Sequence, residues 1–526
     1  MQRRDLIFGA TQAAALMAWR RVFAAGPDRV APLNHWVSPS EVFTLGVASG
    51  EPLPQSVVLW TRLAPKPLQA DGGMPARPVP VRWELAHDAH FTQIAKQGEA
   101  LAHPAKAHSL HIEVQELLSD RSYFYRFFAG GQASPVGRTR TAPHPMAPVR
   151  RLRMALTSCQ HYEMGYYTAH REIAAADVDF VLFVGDYIYE TASVPRFQVR
   201  RHHQVMEDED LDLAHYRVHH ANYKLDADLR ACHAAHPWLL TWDDHDVRND
   251  YGGLHDADGL SVAAFTKVRA AAYQAYFEHL PISPRRAPVG PDAAMHTQYR
   301  WGQLADLWLL DTRQFRSGHA CHWPHTLMDG RLLWRCGEAL SGDRTVLGLG
   351  QERWLADTLA ASTGAWRLIA QTTQIAPSQL AVPWGNLAYA DGWDAFPQAR
   401  ERLMDAIAQP RVPDVVCLGG DVHRHVAANL RMHPLDFNSP IIASELVASS
   451  ITSRGLSEFV SQWTKANNPD LLHLRGDERG HALIDITPHA LRCDFRATAF
   501  PVRADSVFYT QASYVIERGV AGPKKA

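Results

Sequence analysis

Apolar and polar residues change rhythm twice along the chain. From Phe43 to about Thr141 the apolar segments are short and rich in β-branched and aromatic residues: VVLWTRL at 57–63, VRWELA at 81–86, HSLHIEVQEL at 108–117 and YFYRFFAG at 123–130. Gly, Pro and Asp clusters separate them, a spacing that predicts an all-β sandwich over 41–145. TAPHPMAPVR at 141–150, with three prolines, reads as a linker. Beyond it come continuous apolar runs: RMALTSC (153–159), VDFVLFVGD (178–186), HPWLLTWDD (236–244), LADLWLLDTR (304–313), WRLIAQTT (366–373) and DVVCLGGD (414–421). Runs of this length fit strands covered on both faces. Between them, 260–280 and 350–362 have helical spacing, the latter with Glu352 in its first turns. Strands alternating with helices predict a layered α/β domain, here 150–505. HALIDITPHALRCDF at 481–495 alternates like a hairpin closing one edge of the sheet, and 506–526 reads as a C-terminal tail, loose from 517 onward.

The first 25 residues stand apart from both regions. MQRRDLIFGATQAAALMAWRRVFAA has a charged start, an apolar middle from Leu6 to Trp19 and small residues at Ala24 and Ala25, the layout of an export signal. The apolar stretch is too short and too diluted by Gly and Ala to span a bilayer stably. Paired Arg3 and Arg4 before Leu6-Ile7-Phe8 resemble a twin-arginine signal, which implies the twin-arginine export machinery as a partner and a periplasmic or secreted destination.

Length and composition narrow the class. A chain of 526 residues holds two domains or one large α/β unit with an appendage. With 46% hydrophobic and 21% charged residues it is neither disordered nor a multi-pass membrane protein. Lys plus Arg number 53 against 55 Asp plus Glu, so no basic field holds a polyanion and nucleic acid is not an obligate partner. The six cysteines form no C-x-x-C pair, and one disulfide, Cys321 to Cys336, is compatible with their pattern. The 29 histidines raise the prior on metal chemistry.

The chemistry sits where buried strands end. Four of them stop in metal-ligand side chains: Ser158-Cys159-Gln160-His161, Gly185-Asp186-Tyr187-Ile188-Tyr189-Glu190, Trp242-Asp243-Asp244-His245-Asp246 and Gly419-Gly420-Asp421-Val422-His423-Arg424-His425. Taken singly, each has an ordinary reading: a buried thiol, a helix cap, a solvated acidic turn, a core histidine. Together, acidic groups at the carboxyl ends of neighbouring strands repel one another unless a multivalent cation neutralises them. Thiolate, phenolate and imidazole with a bridging carboxylate suit a transition ion, whereas oxygen donors such as Asp244, Asn249 and Asp421 suit calcium or magnesium. A tyrosine ligand needs a strong Lewis acid, because its free pKa is about 10, which favours ferric iron over zinc.

GDYIYE, TWDDHDVRNDY and GGDVHRH, together with SCQ and FTLGVASGEPLPQSVVLWTRL at 43–63, closely resemble the PhoD-like alkaline phosphatases of the metallophosphoesterase superfamily. The resemblance runs from the signal to about Phe500. It implies an immunoglobulin- or fibronectin-like N-terminal domain followed by a four-layer αββα sandwich. Tyr189 stands where the superfamily's G-D-x-x-D motif has its last Asp, a trait shared with purple acid phosphatases. Asp243-Asp244-His245-Asp246 in place of G-N-H-E, Gly420-Asp421-Val422-His423 in place of G-H-x-H, and Cys159 point to the PhoD-like group instead.

Carried over residue by residue, the resemblance implies that Cys159, Tyr189 and His423 bind Fe3+ and that Asp186 bridges it to a Ca2+ site completed by Asp244 and Asp421, with Asn249 a weaker candidate. His245 would face the phosphoryl oxygen or the leaving group. Arg217, in HYRVHHANY at 215–223, is a candidate phosphate contact, although a surface position is the commoner fate of an arginine. The expected activity is hydrolysis of phosphate esters by attack of a metal-bound hydroxide, with no covalent enzyme intermediate. The alternative within the enzyme class is a phosphodiesterase or phospholipase D-type activity on lipid or cell-wall phosphodiesters. From another class, a secreted binding module that uses the β-sandwich fits less well, because the ligand set is intact.

Overall fold

Each buried run beyond residue 150 is a strand whose alternate residues enter different cores. In Phe180–Val184, Phe180, Leu182 and Val184 face one core while Val181 and Phe183 face another. Pro237–Thr241 divides the same way, with Leu239 opposite Trp238 and Leu240. In Trp366–Ala370, Trp366, Leu368 and Ala370 join the core of Leu182, and Ile369 enters a third. Val415–Gly419 follows, with Val416 and Leu418 on one side and Val415 and Cys417 on the other. A strand apolar on both faces has no solvent side, so the period of two disappears from the sequence. These contacts come from a computed structural model, which describes residues 38, 40–202, 211–322, 324–328 and 330–526. The proposed signal at 1–25 lies outside the described residues.

Two large sheets share the first core. The ten-stranded one has the spatial order Lys524–Lys525, Tyr509–Glu517, Ala490–Ala499, Glu478–Ile486, Leu152–Thr157, Phe180–Val184, Pro237–Thr241, Val47–Leu53, Ser56–Arg62, Ser109–Val114. Its central members from Leu152 to Thr241 run parallel, in register Phe180 to Met154 and Val181 to Trp238. The seven-stranded one runs Thr297–Trp301, Ala305–Leu309, Trp366–Ala370, Val415–Gly419, Ile441–Val447, His425–Arg431, Leu471–Arg475, with a parallel centre. Helices Thr168–Ala175, Leu213–Lys224, Ala227–Ala235 and Val262–His279 place Ile173, Tyr223, Leu229 and Phe265 in the second core, and helices Leu349–Ala361 and Pro397–Ile407 place Leu355 and Leu403 in the third. Side-chain caps start several of them: Asp212 accepts from His215 N at 2.9 Å and Asp226 from Asp228 N at 2.9 Å. Among the described residues no helix is long and apolar enough to cross a membrane.

Three sequence expectations need correction. The strands of 41–145 are not self-contained: Val47–Leu53 pairs in parallel with Pro237–Thr241, so three of them extend the ten-stranded sheet, while Val79–Ala86, Ile94–Ala102, Ser122–Ala129, Gln132–Ala133 and Gly137–Arg140 form a sheet of their own. The hairpin at 481–495 forms, as Glu478–Ile486 and Ala490–Ala499, but lies inside the sheet rather than at its edge. It is continued by the supposed tail. Tyr509–Glu517 pairs with Ala490–Ala499 and buries Ala512, Tyr514 and Ile516 in the first core, and Lys524–Lys525 adds a last short strand. The disulfide between Cys321 and Cys336 is present, with Cα atoms 6.0 Å apart.

Candidate functional site

The polar residues after four parallel strands converge because the chain turns sharply at each strand end. Cys159, Asp186, Asp421 and His423 all adopt left-handed backbone, with φ between 51° and 60°. For side chains bearing a Cβ this conformation costs about 1–2 kcal/mol each. Glycines at two of the turns allow the strand ends to meet. Gly185 has φ +99°, and a Cβ there would stand 2.4 Å from the Cβ of Asp243; one on Gly420 would stand 2.4 Å from Ser158 Oγ. Asp246 ties the second and third turns together, its carboxylate accepting the backbone N–H groups of Asp186 at 3.0 Å, Tyr187 at 2.9 Å and Asp243 at 3.0 Å.

Among the described residues three ligand groups arise. Cys159, Asp186 and His423 bring one donor atom each within 4.8 Å of one another; Asp186, Asp243 and Asp244 do the same, as do Asp244, Asp250 and Asp391. Asp186 belongs to the first two and Asp244 to the last two. Tyr189 enters the first group through its hydroxyl, which donates to Asp186 Oδ2 at 2.8 Å and stands 3.1 Å from His423 Nε2. His423 Nδ1 lies 2.8 Å from the carbonyl oxygen of Arg454, which fixes Nδ1 as the protonated nitrogen and leaves the Nε2 lone pair facing the group. The centre of the site is buried: Cys159 and Asp186 are each 1% exposed.

Burial without compensating charge controls the ionisation. It pushes the Cys159 thiol well above its ordinary value, with the carboxylates of Asp186 and Asp421 adding to the effect. Asp186 is raised by burial and then by Asp244, Tyr189 by burial and then by Asp186, and Asp421 by burial and then by Asp243 and Asp244. Asp243 goes to about 6 and Asp250 to about 7 for the same reasons. Buried arginine offsets part of this charge. Arg313, on the turn after Ala305–Leu309, donates to Asp243, to Asp244 Oδ1 at 3.3 Å and to both oxygens of Asp391 at 2.8 and 2.7 Å. It holds Asp244 and Asp391 below the usual carboxylate range although burial works the other way. Around Cys159, Asp186 and His423 the donors are thiol, phenol, imidazole and a shared carboxyl, a set that fits a metal ion able to take their protons' place.

His245 borders the same centre. Its backbone N–H reaches Asp186 Oδ1 at 3.3 Å, its ring centroid lies 4.2 Å from that of Tyr189 with the planes tilted by 31°, and its Nδ1 lies 2.7 Å from Glu190 Oε2. Burial opposes charge on the ring, but the carboxylates of Glu190, Asp244 and Asp186 outweigh it and hold His245 well above its ordinary value.

Of the residues singled out from sequence, Cys159, Asp186, Tyr189, Asp244, His245 and His423 come together. Asp421 sits beside them without joining a three-donor group, its Oδ2 accepting from Thr373 Oγ1 at 2.5 Å. Asn249 presents its backbone N–H to Glu190 Oε1 at 2.7 Å, and it is the next residue, Asp250, that joins an acidic group. Arg217 is a correction: both arms of its guanidinium bind Glu278 at 2.7 Å, and a third bond goes to the carbonyl of Ala105, so it is committed to the helix Val262–His279. Asp243 is part of the strand-end motif but has no ligand role in the sequence reading, and Asp250, Asp391 and Arg313 are absent from it. Arg313 had a usable signal, since LADLWLLDTR ends like the other site strands; Asp391 had none.

The chain resembles known proteins over nearly its whole length. The profile of the PhoD-like phosphatase family matches residues 154–495, and that of the PhoD-like phosphatase N-terminal domain matches 30–143. Alkaline phosphatase D of Bacillus subtilis (strain 168) is 41% identical over 489 residues, covering 92% of this chain and 82% of that protein. A solved structure of PhoD is 40% identical and superposes with a TM-score of 0.88, covering 94% of this chain and 93% of that one. With candidate metal-binding residues from four strand ends gathered at one buried centre, and with matches of this extent, the chain belongs to the PhoD-like phosphatase family.

Proposed function

We propose that the protein is an exported, metal-dependent alkaline phosphatase that hydrolyses phosphate esters at the centre formed by Cys159, Asp186, Tyr189, Asp244, Asp421, His423 and His245. The observation that carries this reading is the sharing of Asp186 between a soft-donor group and a carboxylate group. Cys159, Tyr189 and His423 suit ferric iron, Asp244 and Asp421 suit calcium, and Asp186 spans both. When bound, the two cations would supply Lewis acidity toward the phosphoryl oxygens and lower the pKa of water. The protein's own part is positional. Arg454 fixes the tautomer of His423, Asp246 ties two turns together, Arg313 offsets the carboxylates outside the soft-donor group, and His245 gives its proton to the departing alcohol oxygen. Around this centre we read the shared and flanking cores as the four-layer αββα arrangement of metallophosphoesterases, with the separate small sheet of 79–140 as the part of the N-terminal region that stands outside it and 1–25 as a twin-arginine signal.

One observation favours diesters with an apolar side. Helix Glu458–Asn467 turns Ser461 and Thr464 inward and leaves Phe459 78% and Trp463 38% exposed, with Leu456 beside them at 51%. This ridge starts two residues beyond the Arg454 carbonyl that holds His423. Rates on p-nitrophenyl phosphate and bis-p-nitrophenyl phosphate, at alkaline pH with calcium, decide between the readings: faster monoester turnover supports the phosphomonoesterase, and faster diester turnover supports the phosphodiesterase. Inactivity on both overturns the proposal. For the ferric site, Tyr189→Phe is expected to abolish the visible phenolate-to-iron absorption of the purified protein, and an unchanged spectrum would exclude Tyr189 as a ligand.

A further inference from the structure

We propose that Arg196 and Arg454 form a subsite for a second phosphate of the substrate, so that the protein favours phosphoesters carrying another phosphate beside the one it attacks. The inference rests on the phosphatase reading above. Both arginines are exposed and both lie over one half-buried ring: the guanidinium carbon of Arg454 is 4.2 Å from the centroid of Phe197, and that of Arg196 is 4.7 Å from it. Among the described residues neither guanidinium has a carboxylate within salt-bridge reach, whereas Arg200 in the same segment pairs with Asp226 at 2.6 Å. The ring attracts the two cations without using their N–H donors, which stay available for a phosphate, the anion a guanidinium matches with paired bonds. Two like charges sharing one ring also repel each other, and a phosphate held between them removes that repulsion.

This rim belongs to the site because both of its walls are fastened to the loops that carry the candidate ligands. The turn Tyr162–Met164 follows Cys159 almost directly. From it, Glu163 Oε2 accepts the backbone N–H of Ser193 at 2.7 Å and Gln198 Nε2 at 3.2 Å, and its carbonyl accepts Val199 N at 2.8 Å, which brackets Phe197 on either side. Phe500 closes on the same ring at 6.3 Å between centroids. Arg454 is held at three points: its N–H donates to Met164 Sδ at 3.3 Å, the preceding carbonyl of Ser453 accepts Arg479 Nη1 at 2.6 Å, and its own carbonyl meets His423 Nδ1 at 2.8 Å. The pair of charges therefore borders the His423 side of the centre on fixed backbone. An ester with one phosphate places it at the centre and leaves the arginines unanswered; an ester with a second phosphate meets both.

The test uses the whole protein, with calcium in excess, and α,ω-alkanediol bisphosphates from ethanediol to octanediol as initial-rate competitors of whichever p-nitrophenyl ester it turns over faster. At the length that spans the two positions, the bisphosphate should bind about 10-fold more tightly than the alkyl monophosphate of equal length, the worth of one charge-assisted contact. Added salt should shrink that advantage. Arg196→Gln and Arg454→Gln should each cut it to about 3-fold and the double variant should abolish it, while Arg196→Lys, which keeps the charge without the paired bonds, should fall between wild type and Arg196→Gln. Each result is a ratio of two competitors on one protein, so a general loss caused by either substitution cancels. The subsite is overturned if no chain length favours the bisphosphate beyond the statistical factor of its two ends, or if the advantage survives in the double variant. Inactivity of the wild-type protein on both p-nitrophenyl esters would instead count against the phosphatase reading.

Discussion

Asp186→Asn is expected to reduce turnover by about 1,000-fold or more and to remove both cations at once. The side chain keeps its size, and one of its two atoms still accepts a hydrogen bond, so the contacts with Tyr189 and with the His245 backbone are partly retained and the fold survives. What is lost is the single negative charge that belongs to two ligand groups. A ligand serving one ion can be replaced by a neighbour or by water, but a shared one leaves both groups a donor short. Elemental analysis of the purified variant, beside kcat on p-nitrophenyl phosphate, checks this. Full metal content with activity retained would overturn the assignment of the centre; loss of one metal alone would show that Asp186 does not bridge.

Arg313→Met is expected to lower the unfolding free energy of the chelator-treated protein by about 3–5 kcal/mol, the cost of breaking a buried ion pair from one side. Methionine fills much of the space, so the effect isolates charge from volume. Arg313 is fully buried, and its guanidinium meets Asp243, Asp244 and Asp391 on three sides. Arg316, the other cation on Asp391, reaches only that residue's carboxylate and carbonyl. Without Arg313, Asp243 and Asp244 keep no positive partner but His245, and protonation becomes their way to neutrality. The destabilisation should accordingly grow as pH rises through the raised carboxylate pKa values and shrink in acid. Urea unfolding at two pH values measures it, and a loss below about 1 kcal/mol would mean that the cluster is already neutral without its arginine.

Much of this centre was legible because strand ends are local. A run such as VDFVLFVGD announces both the strand and the side chain that follows it, and three of the four such runs lie parallel in one sheet, so their carboxyl ends share an edge, while the fourth, Val415–Gly419, reaches the centre from the second sheet. What the sequence could not convey was pairing over distance. Asp391 follows the strand Gly385–Tyr389 of a small four-stranded sheet, and its place beside Asp244 depends on Arg313, 78 residues earlier. Arg217 misled for the same reason, since its partner Glu278 lies 61 residues on. The strand Tyr509–Glu517 is hard to read on different grounds. TQASYVIE does alternate, but its inward residues are Ala512, Tyr514 and Ile516, and a half-exposed strand near a sheet edge carries a weaker pattern than a doubly covered one.

The left-handed backbone at Cys159, Asp186, Asp421 and His423 sets the interests of folding against those of chemistry. Glycine fits that conformation best and aspartate only tolerates it, so at each position the side chain proposed for the chemistry is not the one the backbone alone would choose. Under selection for heat resistance alone, with catalysis unmonitored, lineages should drift toward glycine at these four places. Sequences that retain this fold but have lost the enzyme would then be recognisable by the glycines standing where ligands once stood.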